Sequence, residues 1–325
     1  MNWLTRRLGC SGRGRLRLLE SLRGQLAPAG NHESLQTGLG HSELCRFAQQ
    51  YRLHEIATAI PHRGDVEDLM VIAWFGSAIA DLGCYDSGEK RDRILQEGAL
   101  FNLAVALFDT VMDEMPAHRD QLKLSVNIPL IRGRLWNPLN PDTRLTSRDP
   151  AITHIAALFD ALFVSLGSRV EGNSRGRELS EIISLFSAMY NGGSNGERDP
   201  FRTKVLPVLF LGRLNYSFRN YVLMEDFYCQ LGKFIQLYDD WLDMARDALQ
   251  GKPNYFLNHW THTTLLDKPL FYLSFGVRLL GGSLFHRHTT RTVTRAMNDA
   301  IEASRFADPL AYQRNLSLCS KFVLS

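Results

Sequence analysis

Apolar residues recur at helical spacing, with polar residues between them, over eight stretches: 42–60, 65–82, 89–115, 151–170, 177–191, 202–220, 221–250 and 267–281. Alternating β-branched runs are nearly absent, so strands are not expected. The breaks fall at "APAGN" (27–31), "PHRGD" (61–65), "NPLNPD" (137–142), "NGGSNGERDP" (191–200) and "GKPN" (251–254), where Gly, Pro and Asn interrupt a helix. No internal repeat recurs and no linker separates two autonomous halves. The pattern predicts an all-α protein with one large helical domain over residues 42–325.

Residues 1–41 stand apart as a basic tail. The first 30 residues hold six Arg against a single acid, Glu20, and lack the apolar core of a secretory signal. A cytoplasmic protein is expected, with organellar import through this Arg-rich segment left open. The 325-residue chain is 45% hydrophobic, enough for a sizeable core. A net charge of +3 gives no nucleic-acid surface. The five Cys are scattered without a CxxC pair, which excludes a zinc ribbon or a disulfide scaffold. No apolar run is read as a membrane span.

Two acidic clusters interrupt this picture. The run "ALFNLAVALF" (99–108) carries no charge, so its helix is expected to be buried. It leads directly into Asp109, Asp113 and Glu114. Asp109 and Asp113, four apart, project from one face. Pro116 is placed to end the helix. The acids then occupy its last turn, where the negative end of the macrodipole disfavours them, so a positive partner is expected.

The second cluster, "QLYDDWLDMARD" (236–247), places Asp239, Asp240, Asp243 and Asp247 along one flank of a helix otherwise built for burial. Solvated acids would explain either cluster alone. Two clusters of D-x-x-x-D form, each at the end of an apolar helix, suggest one site approached from two sides. Paired carboxylates suit a hard dication such as Mg²⁺, which keeps waters or phosphate oxygens in its shell. Basic residues would complete an anion site, with Arg119, Arg202, Lys204 and Lys252 as the candidates.

"GKFIQLYDDWLDMARDALQGKP" resembles the second aspartate-rich motif of the trans-prenyltransferases, the polyprenyl diphosphate synthases. Gly232, Gln236, Asp239, Asp240, Asp243, Asp247, Gly251, Lys252 and Pro253 stand at matching places. "ALFNLAVALFDTVMDEMPAHR" resembles the first-motif region, with Thr110 where the family has a second Asp. "TKVLPVLFL" resembles the family's Lys segment through Lys204. "HRGD" (62–65) is a poor counterpart of the N-terminal segment that helps bind the acceptor diphosphate.

The resemblance implies a single helical bundle of the class I isoprenoid synthase type around a central cavity. It implies Mg²⁺ as cofactor, on the order of three ions with substrate bound. Asp109, Asp113, Glu114, Asp239, Asp240 and Asp243 would hold the metal. Arg119, Lys204, Lys252 and Gln236 would contact the diphosphate. Phe101, Asn102, Val105, Ala106, Phe108 and Tyr238 would line the cavity. Asn102 has two readings, a bonded core amide or a dipole aimed at a cation, of which the core amide is preferred.

The weak acceptor segment points to a terpene synthase that ionises a C15 or C20 allylic diphosphate and cyclises or eliminates it. Chain elongation, squalene/phytoene-type condensation and a non-catalytic partner subunit of a prenyl synthase are the alternatives. The expected partner is the small isoprenyl diphosphate, with a homodimer left open and no nucleic acid or transmembrane segment involved.

Overall fold

The computed structural model describes residues 37–60, 63–84, 87–122, 125–126, 147–168, 202–215, 221–250, 254–256 and 284–324. Every regular element among them is helical. In chain order these are α1 (His41–Gln50), α2 (Leu53–Ala59), α3 (Val66–Asp81), α4 (Glu89–Glu114), a 3₁₀ turn (Pro116–His118), α5 (Pro150–Ser168), α6 (Arg202–Arg213), α7 (Tyr221–Gln250), α8 (Leu284–Ala307) and α9 (Pro309–Leu324). The all-α expectation holds. The stretches at 177–191 and 267–281 and nearly all of the basic tail lie outside the described residues. The chain divides into two compact units, the first holding residues 36–195 and 209–219 and the second 196–208 and 220–325.

The first unit is built on α3 packed along α4, with α5 on α4 and the short α1 and α2 alongside α3. The predicted helix over 42–60 is two helices. Helical residues advance by about 100° each, so an unbroken helix would turn Leu53, Ile56 and Ile60 roughly 120–180° away from Leu44. All four are buried. The break at Tyr51–Arg52 re-aims the second stripe, with Arg52 in the left-handed region at φ 52°. "HRGD" has a structural role here: Asp65 caps α3, accepting from Asp68 N–H at 3.0 Å while Asp68 Oδ2 accepts from Asp65 N–H at 3.3 Å.

α3 and α4 cross closely because Gly76 and Gly98 meet at the contact. A Cβ on Gly98 would lie 2.7 Å from both Ala80 Cβ and the Gly76 carbonyl oxygen, and one on Gly76 would strike the Gly98 carbonyl. Backbone oxygens cannot yield as a flexible side-chain tip can. Asp81, fully buried at the end of α3, accepts from Arg91 Nε at 2.9 Å, from its Nη2 at 2.7 Å and from Gly38 N–H at 3.0 Å. By length and composition α4 could cross a membrane, but 67% of its most apolar window is buried inside the fold.

In the second unit α8 packs on α7 and α9 on α8. The sequence pattern did not predict α8 or α9. The buried positions described in α8, Thr289, Thr290, Val293, Met297, Ala300, Ile301 and Ser304, form a stripe that mixes Thr, Ser and Ala with a few larger apolar side chains. Asp308 then caps α9, accepting from Leu310 N–H at 2.7 Å, with Pro309 at the first helical position. α6 ends at Arg213, short of the predicted 220; its residues 202–208 belong to the second unit and the rest to the first.

Candidate functional site

The first acid cluster occupies the end of α4, where Asp109, Asp113 and Glu114 are all exposed. Thr110, at the place of the family's second Asp, is buried and donates from Oγ1 to the Ala106 carbonyl at 2.8 Å. An acid there would face the core rather than join its neighbours. α4 ends at Glu114, one residue before Met115 and two before Pro116, as expected.

The positive partner expected for this helix end is Arg119. Its Nε donates to the Met112 carbonyl and its Nη2 to the Asp113 carbonyl at 3.3 Å. These oxygens belong to the last turn, whose carbonyls have no partner within the helix. The remaining N–H groups of the guanidinium are left for other acceptors. Next to it, His118 Nε2 pairs with Asp149 Oδ2 at 2.7 Å. Asp149 in turn caps α5, accepting from Ala151 N–H at 2.9 Å. The turn after the acids is thereby tied to α5. His118 Nδ1 is buried without a hydrogen-bond partner.

The residues leading up to Asp109 are largely packed. Phe101 is fully buried and stacks on Phe210, with ring centroids 4.0 Å apart. Asn102 Nδ2 donates to the Ile72 carbonyl at 2.7 Å, the bonded amide of the two readings. Phe108 meets Phe159 edge-on at 6.5 Å. Val105 and Ala106 are half-buried. A groove of about 290 Å³ lies in this unit, walled by Leu39, Glu43, Arg46, Phe47 and Gln50 on one side and Arg91, Asp92, Leu95 and Gln96 on the other. None of the predicted cavity residues borders it.

The second cluster lies on α7. Asp239 is exposed, but Asp240, Asp243 and Asp247 are 5%, 7% and 7% exposed. A solvated acidic face is therefore not what this helix presents. Gln236, expected at the diphosphate, donates from Nε2 to Asp240 Oδ1 at 2.6 Å. Asp240 Oδ2 accepts from Tyr255 N–H at 2.9 Å. Asn254 donates to the Asp240 carbonyl at 2.7 Å and to Asp247 Oδ2 at 2.9 Å. Tyr238 is buried between Phe234 and Trp241, with centroids at 5.8 and 6.0 Å. Lys252 and the side chains of Arg202 and Lys204 lie outside the described residues.

Asn254 and Tyr255 are the site residues that sequence reasoning missed. "GKPN" reads as a helix break, and nothing in it says that the Asn turns back to bond the helix it has just left. The donor chemistry of both clusters fits a hard dication, being carboxylate throughout. Among the described residues no group of three or more His, Cys, Asp or Glu side chains is placed to hold a metal ion. Among the described residues, neither cluster is a closed protein cage for a metal ion. The clusters belong to different units, and each is described by itself. No family profile, curated protein or solved structure matches the chain.

Proposed function

We propose that the chain is a class I terpene synthase, which ionises a C15 or C20 allylic diphosphate with Mg²⁺ and cyclises or eliminates the resulting cation. The observation that carries this reading is the stretch from Gly232 to Pro253. It resembles the second aspartate-rich motif of the prenyltransferases, and three of its four Asp are buried on one helix. Burying several carboxylates together is unfavourable unless hydrogen bonds or a cation compensate the charge.

In this proposal Asp109, Asp113, Glu114, Asp239 and Asp243 would hold the metal. Mg²⁺ supplies Lewis acidity that stabilises the departing diphosphate. Asp240, with both oxygens bonded to Gln236 and Tyr255, keeps the α7 end in place beside them. Lys204, Lys252 and the N–H groups of Arg119 not spent on α4 bind diphosphate oxygens. Apolar and aromatic side chains exclude water from the cation, and aromatic faces stabilise it without attacking it.

The buried Thr110 supports a second reading, a partner subunit of a prenyl synthase that binds diphosphate without turning it over. One experiment separates these. The protein is incubated with C10, C15 and C20 allylic diphosphates and Mg²⁺, with and without isopentenyl diphosphate. Released diphosphate is measured, and products are analysed by gas chromatography. A terpene synthase gives Mg²⁺-dependent release and a hydrocarbon or alcohol without isopentenyl diphosphate. A requirement for that acceptor indicates chain elongation. Absence of release, with Mg²⁺-dependent pyrophosphate binding retained in calorimetry, indicates the partner subunit. Absence of both refutes the isoprenoid reading.

A further inference from the structure

Asn254 is 2% exposed, and its amide bonds across two turns of α7. Nδ2 donates to the Asp240 carbonyl at 2.7 Å and to Asp247 Oδ2 at 2.9 Å, while Oδ1 accepts from Phe256 N–H at 3.1 Å. Its neighbour Tyr255 donates its N–H to Asp240 Oδ2, whose other oxygen accepts from Gln236. These contacts need two donors and one acceptor on one short, uncharged side chain. An Asp has no donor, a Lys has no acceptor, and a Leu of the same shape has neither.

The helix geometry gives the network its consequence. Residues 236, 240, 243 and 247 follow one another along a single side of α7. Asp243 therefore lies between Asp240 and Asp247, the two acids that Asn254 grips. Carboxylates so close repel each other, and a buried carboxylate is costly unless its oxygens accept hydrogen bonds. Asn254 supplies one such bond, to Asp247, and holds the Asp240 backbone carbonyl, without adding positive charge. A Lys or Arg in its place would neutralise part of the charge that draws a dication.

We propose that Asn254 is the positioning residue of the second acid cluster, fixing Asp240 and Asp247 so that Asp243 and the exposed Asp239 meet Mg²⁺–diphosphate in a set geometry. The inference rests on the isoprenoid reading above. It goes further by giving a specific role to a residue outside the recognised motif.

The test measures binding of Mg²⁺–pyrophosphate by calorimetry, and thermal stability without ligand, in the full chain. Four proteins are compared: the parent, Asn254→Leu, Asn254→Ser, and the exchanged pair Asn254→Asp with Asp247→Asn. The exchange keeps the net charge and restores the bond between positions 254 and 247 with donor and acceptor reversed, but not the bond to the Asp240 carbonyl. The Leu variant is expected to lose about tenfold in affinity, the low end for outer-shell changes at a metal site, because Asn254 holds the neighbours of Asp239 and Asp243 rather than those acids themselves. Ser keeps one donor and falls between Leu and the parent, and it gives the same comparison if the Leu variant does not fold. The exchanged pair recovers the part of the affinity that the bond between positions 254 and 247 carries.

Affinity that stays at the parent value in folded Leu or Ser variants, with only the melting temperature lowered, makes Asn254 purely structural and overturns the proposal. Loss in those variants without recovery in the exchanged pair overturns the hydrogen-bond account. If the parent itself fails to bind Mg²⁺–pyrophosphate, the isoprenoid reading falls first and this inference with it. Parental binding that the variants share removes only the inference.

Discussion

The Arg119 guanidinium lies against the Asp113 carbonyl at 3.3 Å while also bonding that of Met112, so a side chain beyond the end of α4 closes its last turn. It offsets two penalties, the unpaired carbonyls and the acids at the negative end of the dipole. Arg119→Ala is therefore expected to lower stability by about 1 kcal/mol without any ligand present. Arg119→Lys should recover only part, since one ammonium does not reproduce the fork. Urea unfolding of the three proteins checks this. Equal midpoints would show that the capping contributes nothing and leave Arg119 only its proposed role at the diphosphate.

Asp81 and Arg91 carry a larger share of the first unit's stability. Asp81 has no exposure, while the Arg91 side chain is 28% exposed. The bonds to Asp81 push the Arg91 guanidinium above its ordinary pKa, outweighing the opposing effect of burial. Arg91→Met leaves a buried carboxylate with Gly38 N–H as a remaining partner. The expected loss is about 2–3 kcal/mol, below the usual figure for a broken buried pair because water reaches the Arg side. Adding Asp81→Ala to Arg91→Met should cost less than the two single losses summed. A double-mutant cycle by denaturant titration measures that difference, and strict additivity would deny the coupling.

Phe101 fills the space between α4 and α6 by stacking on Phe210. Phe101→Ala removes a fully buried ring and should cost about 3–5 kcal/mol. A change of substrate size from that variant would therefore come with marked destabilisation. The cleaner probes of a cavity below Asp109 are Val105 and Ala106, both half-buried. Val105→Phe should cost no more than about 1–3 kcal/mol in urea unfolding and, under the proposed function, reject C15 and C20 diphosphates. An unchanged substrate ranking would remove this stripe from the cavity wall.

What the sequence made legible was whatever local chemistry decides. The uncharged run at 99–108 could only be a buried helix, and Pro116 fixed where it stops. α7 matched its predicted span of 221–250 because its apolar spacing never lapses. The break at Arg52 was hidden because no Gly or Pro marks it, and only the reversal of the apolar stripe between Phe47 and Leu53 required it. α8 was missed because its core face is made of Ala300, Ser304 and few bulky side chains. At the site, periodicity placed the acids on common helix flanks. It could not say that Asp240 would be spent on Gln236 and Tyr255, since Tyr255 returns across a break in the chain. The cradle of Asn254 depends in the same way on tertiary return.

His154 gives the first unit a pH dependence whose sign is fixed by its surroundings. It lies on α5, with Nε2 3.8 Å from Glu55 Oε2 on α2. Burial lowers its pKa below the ordinary value; Glu55 opposes this, while Arg52 and His54 add to it. The folded state thus takes up the proton less readily than the unfolded chain. His154 contributes no penalty above the unfolded pKa of about 6.5, and stability declines as the pH falls from there toward the lower folded value. The effect of His154 itself is read as a difference between parent and variant. Urea midpoints of the parent and of His154→Asn are compared at pH 7.5 and pH 5.5. The parent should lose more stability than the variant over that interval. An equal loss in both would assign the pH dependence to other groups. A larger loss in the variant would mean that Glu55 outweighs burial and that the folded pKa of His154 is raised.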